Sequence, residues 1–126
     1  SIETRRKNDP QQGDLFMRYV EQEKVEKTSI QSSPKALNNS AVMHYQKGEL
    51  DEALLVFRQA FTIMPKNPSI ALNLLQATAA EVRNIGLSDN TPKLVKNCIK
   101  TIENGSLTQE QEQRYHNVKS YLKDMV

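Results

Sequence analysis

Residues 48–68, GELDEALLVFRQAFTIMPKNP, decide the fold. The stretch predicts one helix over about 50–64, entered through a tight turn at Gly48 and ended by Pro65, which cannot continue a helical ladder. Ala53, Phe57 and Ala60 recur at spacings of four and three and so share one helical face. A small residue at Ala53 lets this helix approach its predecessor closely. Phe57 fills the space between the two, and Ala60 leaves room for a following unit. Leu54, Val56, Phe61, Ile63 and Met64 widen the apolar face on both sides, which predicts a helix packed against neighbours on two sides. Asp51 and Glu52 favour its first turn through the helix dipole.

Outward from this stretch, four glycines and five prolines punctuate segments with helical apolar spacing, and none shows strand alternation. Ser33-Pro34, Asn67-Pro68 and Thr91-Pro92 share one start signal, a capping residue followed by proline at the first helical position. They predict helices over about 34–47, 68–85 and 92–104. Asn104-Gly105 reads as a left-handed stop. Thr108 with Gln111 forms a capping box for a last helix over about 109–124, with Tyr115, Val118, Tyr121, Leu122 and Met125 as its apolar set. Upstream, residues 1–13 read as a linker or frayed lead-in. Asp14 can cap a helix over about 15–27, with Leu15, Phe16, Tyr19 and Val20 on one side, and 28–33 is a polar joint. The expectation is an all-α chain of about six helices joined by short turns.

Asn67-Pro68 follows Ser33-Pro34 by 34 residues, and Asn39 and Asn73 fall in register at the same offset. That period, with Gly48 in the turn and Ala53, Phe57, Ala60 and Pro65 after it, resembles the tetratricopeptide repeat (TPR) family. Leu37, Ser40-Ala41 and His44 depart from the family's usual first helix. The resemblance implies antiparallel helix pairs stacked as a short right-handed array. Residues 34–67 would be the full repeat and 68–104 a degenerate pair. Ala71, Leu74, Leu75 and Thr78 hold the family positions there, but the paired helix lacks the Ala-x3-Phe mark. Residues 14–33 would be an N-terminal flanking helix and joint, and 105–126 a capping helix. The string from Leu37 to Ala77 is also similar to the C-terminal repeat region of bacterial receiver–TPR response regulators. That likeness implies a cytoplasmic signalling protein whose phospho-accepting aspartate lies outside this chain. The start at Ser1 fits a piece of a longer protein.

In such arrays the first helices of the pairs line a concave groove. Its expected lining is Lys35, Asn38, Asn39, Val42, Tyr45 and Gln46, then Ser69, Leu72, Asn73, Gln76 and either Ala79 or Ala80. Asparagine and glutamine amides both donate and accept, so they can pair with the backbone of an extended peptide. Tyr45 offers an apolar plate with a polar tip. The alternative for each polar residue is plain solvation. Of the bases, Lys35 stands on this face and Arg83 lies late in its helix, which argues against recognition of an acidic C-terminus. The mixed polar lining favours an adaptor over a secretion or assembly chaperone. Self-association through an open end of the array, giving a homodimer, is the other use of such surfaces.

The net charge of +2 is too small to collect nucleic acid or anionic lipid, and no apolar run approaches the length of a membrane span. The single cysteine, Cys98, sits among Leu94, Val95, Ile99 and Ile102 and reads as a buried apolar residue. His44 is expected at the turn between paired helices and His116 at the surface. Neither has a cysteine or carboxylate at metal-ligand spacing. With no phosphate loop or nucleophile motif, the expectation is a protein-binding module with no cofactor, metal or catalytic residues.

Overall fold

The computed structural model describes residues 33–125, and all five elements within them are α-helices: α1 (Pro34–Gln46), α2 (Leu50–Ile63), α3 (Pro68–Asn84), α4 (Thr91–Asn104) and α5 (Gln109–Met125). Each lies within about a residue of its predicted span. The lead-in 1–13, the helix expected over 15–27 and most of the 28–33 joint lie outside the described residues.

Two of the three start signals work as read. Ser33 Oγ accepts from the Ala36 amide at 3.1 Å. Asn67 Oδ1 accepts from the amides of Ser69 at 2.9 Å and Ile70 at 3.1 Å. The third differs. Asn90 is the N-cap of α4 and makes no side-chain cap bond. The Thr91 hydroxyl turns back instead to accept from the Ser88 amide at 3.0 Å, bracing the loop before the helix. The capping box of α5 is reciprocal: the Gln111 amide donates to Thr108 Oγ1 at 3.1 Å, and the Thr108 amide donates to Gln111 Oε1 at 3.0 Å.

Gly48 turns the chain between α1 and α2 with φ of +85°, a conformation that disfavours side chains. Gly105 is not the expected left-handed stop. Its backbone is extended, at φ −113° and ψ −161°. Its lack of a side chain serves packing, because a Cβ there would stand 2.9 Å from Cγ of Pro68. Thr101 Oγ1 also donates to the Pro65 carbonyl at 2.8 Å. The end of α4 therefore sits at the start of α3, and the two run antiparallel.

α1 packs on α2, α2 on α3, and α3 on both α4 and α5. Side-chain bonds join α1 to α3 and α3 to α5, at Asn38–Asn73 and at Ser69–Gln111 with Gln76–Arg114. Both α3–α5 bonds advance along the two helices together, so these helices run parallel. The result is two layers, α1, α3 and α5 in one and α2 and α4 in the other. One core joins them, through Ala41, Ala53, Phe57, Leu74, Leu75, Val95, Cys98, Ile102, Val118 and Leu122. Ala53, Phe57 and Ala60 are wholly buried, as their spacing requires. Ile63 and Met64, expected on the buried face of α2, are half exposed. They lie at the α2–α3 corner, at the last residue of α2 and just beyond it.

Phe57→Ala should destabilise the fold by about 3–5 kcal/mol through the cavity it leaves, read as a lower denaturant midpoint at unchanged slope. Gly105→Val should cost about 1–3 kcal/mol, because the rigid Pro68 ring cannot yield. A Gly105→Val protein as stable as the original would contradict the close approach.

Candidate groove across the α1, α3 and α5 layer

The predicted groove residues do come together on this layer, but the structure places most of them inside it. Asn38, Val42, Tyr45, Leu72, Asn73 and Gln76 are each at most 2 % exposed, and Ala79 and Ala80 are fully buried. Lys35 is exposed, and Asn39, Gln46 and Ser69 are half-buried. Both the open peptide-contacting lining expected here and its alternative, plain solvation, need accessible side chains, and for Asn38, Asn73 and Gln76 the burial corrects both. A buried amide must be hydrogen-bonded, and here Asn38 and Asn73 bond to each other and Gln76 to Arg114.

Asn73 Nδ2 donates to Asn38 Oδ1 at 2.9 Å, tying α1 to α3. Arg114 Nη1 donates to Gln76 Oε1 at 2.9 Å, tying α5 to α3. Gln111, having closed its capping box, donates from Nε2 to Ser69 Oγ at 3.1 Å. Three polar rungs thus brace the layer across α3, and none of Asn38, Asn73, Gln76, Gln111 or Arg114 lacks a partner. Helix geometry groups them. At 100° per residue, Ser69, Asn73, Gln76 and Ala80 fall in one sector of α3 about 60° wide. Asn38, Val42 and Tyr45 fall in a similar sector of α1. The opposite side of α3, through Ala71, Leu75 and Val82, belongs to the core shared with α4.

Arg114 is the functional feature that the sequence reading missed. It is a basic side chain on this layer, only 5 % exposed. Its signal was present: Arg114 lies four residues before Val118, on the apolar side of a helix otherwise rich in Gln, Glu and Lys. Arg83, the other base considered, is exposed at the end of α3.

His44, Glu49, Glu103, Tyr115 and Lys119 have structural partners. His44 Nδ1 and Glu49 Oε1 stand 2.6 Å apart across the α1–α2 turn, and that hydrogen bond holds the Glu49 carboxyl below its ordinary range. Glu103 accepts from Lys119 Nζ at 2.6 Å and from the Tyr115 hydroxyl at 2.7 Å, which lowers its pKa in the same way. Burial, reinforced by the bond to Glu103, pushes the Tyr115 hydroxyl up. Cys98 is fully buried, and desolvation raises its thiol to about 12. His116 is exposed. Among the described residues no group of three His, Cys, Asp or Glu side chains is placed to hold a metal ion, and no helix is long and apolar enough to cross a membrane.

Asn38→Ala or Asn73→Ala should each cost about 1–3 kcal/mol, because each removes a hydrogen-bond partner from a buried amide. In a double-mutant cycle the pair should lose less than the sum of the two, and strict additivity would deny the rung. Cys98 should resist thiol reagents at pH 8 in the native protein and react at the rate of a free thiol once it is unfolded. No protein-family model, no curated protein and no solved structure matches the chain, so its function is read from its own residues.

Proposed function

We propose that the chain is a non-enzymatic protein-interaction module that docks a peptide or protein segment along the α1, α3 and α5 layer. The observation that carries this reading is the braced polar face itself. Two helices flank a third in parallel, and amide rungs fix their spacing before any ligand arrives. Pre-organisation of that kind lowers the ordering cost of binding. Lys35, Asn39 and Gln46 lie beside the buried Asn38–Val42–Tyr45 stripe on α1 and are the reachable polar groups at its margin. Gln46 can pair with both the N–H and the C=O of an extended backbone.

The 34-residue period and the Gly48, Ala53, Phe57, Ala60, Pro65 pattern support a TPR-type array with a right-handed stack. The narrower likeness to receiver-linked repeats supports an adaptor or output role in a bacterial phosphorelay, in the cytoplasm. The absence of catalysis from the proposal rests on the partners already found. Among the described residues, His44 is engaged with Glu49 at a turn, Cys98 lies in the core, Glu103 is held by Lys119 and Tyr115, and His116 is exposed.

The test is affinity for a partner captured with the intact chain and then purified. Lys35→Ala/Asn39→Ala/Gln46→Ala should weaken binding about tenfold or more, equivalent to about 1.4 kcal/mol, with the thermal midpoint little changed. Unaltered affinity in that triple variant would remove this face as the docking surface.

A further inference from the structure

The layer of α2 and α4 carries a surface of its own at the corner where α2 ends, α3 begins and α4 ends. Ile63 is 51 % exposed there and Met64 40 %. With Pro65 and Pro68 they form the apolar wall of an open cleft of about 620 Å³. A second cleft of about 490 Å³ adjoins it. It shares Pro65 and Lys66 with the first and adds Lys100, Thr101 and Asn104 from the end of α4. Lys100 belongs to a row: at 100° per residue, Lys93, Lys96 and Lys100 fall in one sector of α4 about 60° wide. All three are exposed, as is Lys66. Among the described residues none of these four is paired with a carboxylate. Glu103 borders the sector, but Tyr115 and Lys119 of α5 already hold it. The C-terminal end of α4 opposes an anion here by about half a charge, and the N-terminal end of α3 at Pro68 offsets it.

We propose that this corner docks an acidic segment of a partner protein, with an apolar side chain on Ile63 and Met64 and carboxylates on Lys66 and Lys100. The occupant follows from the joining of the two clefts. Exposed aliphatic side chains beside unpaired cations are complementary to an apolar residue beside acids. Exposed ion pairs are weak singly, so the apolar seat is needed as well. The Thr101 bond to the Pro65 carbonyl fixes the wall between the clefts before a ligand arrives. Lys93 and Lys96 extend the cationic row along α4, where a longer acidic segment finds further contacts. Duplex nucleic acid fits less well, because its binding draws on a longer track of neutralised phosphates. An anionic bilayer fits less well, because Lys66 and Lys100 line a recess rather than a protruding rim. The corner is separate from the α1, α3 and α5 face and does not depend on it.

The test uses the intact chain and the peptide acetyl-Glu-Glu-Leu-Phe-Glu-Glu-amide. Acids on both sides of the apolar pair let either chain direction fit. On titration, backbone amide NMR shifts should saturate and concentrate between Ile63 and Asn67 and between Lys100 and Asn104. Lys66→Ala/Lys100→Ala should weaken binding about fivefold or more. Ile63→Ser/Met64→Ser should weaken it about tenfold. All four positions are exposed, so thermal midpoints should change little. Lys47→Ala/Lys123→Ala, which removes two cations at the far end of the molecule, should leave affinity unchanged. Peptides with glutamine for every glutamate, or with Gly-Ser for Leu-Phe, should bind about fivefold more weakly or worse. No saturable shift, shifts confined to the α1, α3 and α5 layer, or an equal loss in the Lys47/Lys123 variant overturns the proposal. Phosphatidylserine vesicles and a short duplex DNA should not bind. If either binds through Lys66 and Lys100 more tightly than the peptide, the proposal falls. Sedimentation velocity without peptide should show no dimer that Lys66→Ala/Lys100→Ala dissolves. Such a dimer would mean that a second copy holds the corner, and that also overturns it. The Lys35→Ala/Asn39→Ala/Gln46→Ala variant should bind the peptide as the original does, so the two surfaces are tested separately.

Discussion

Everything in this structure is organised around a helix with no outside. From Ile70 to Ala80, α3 is buried at every position, so it has no stable existence apart from its neighbours. Isolated helices of this length are marginal in water, and α3 gains its stability from burial on all sides. The composition of α3 allows this. Ala71, Ala77, Ala79 and Ala80 let other backbones come near, and Leu72, Leu74 and Leu75 fill the spaces between them. A helix apolar all round would have no preferred rotation. Asn73 and Gln76 remove that freedom, because each must meet its own partner on a different flank. The polar rungs contribute little net stability compared with the apolar burial, but they fix which side of α3 faces which helix.

The fold was legible in the sequence because its signals are local. Proline after a capping residue, a reciprocal capping box and an alanine–phenylalanine–alanine face each act within one or two turns, and each placed its helix to within about a residue. The misreadings came where a residue's role depends on something distant in sequence. Thr91 has the composition of an N-cap, but the loop at Ser88 competes for its hydroxyl. Gly105 follows asparagine as a left-handed stop would, but its neighbour in space is Pro68. Ile63 and Met64 continue an apolar pattern into the exposed α2–α3 corner.

The candidate site was legible in membership but not in state. The expected groove lining held Asn38, Asn73 and Gln76, and the structure brings them together, but it pairs Asn73 with Asn38, one residue off the 34-residue register that aligns Asn73 with Asn39. Their burial was hidden because an amide is equally at home in water and in a buried pair, and only the geometry of the other helices decides between them. Arg114 was missed for a related reason. An arginine on a glutamine-rich helix reads as surface, and its inward placement follows from Val118 and Leu122 fixing the rotation of α5.

The contact between Gly105 and Pro68 has a consequence for how such a chain can change in length. The α4–α5 joint is stacked on the α2–α3 joint, so the two corners form one structural seam, closed further by the Thr101 bond to the Pro65 carbonyl. An insertion in either corner must open both. The α1–α2 turn at Gly48 has nothing within 4 Å of where a side chain would begin. Growth by added loop residues is therefore tolerated at one end of the molecule and resisted at the other, which makes the Gly48 end the natural place for a graft, a tag or an evolved extension.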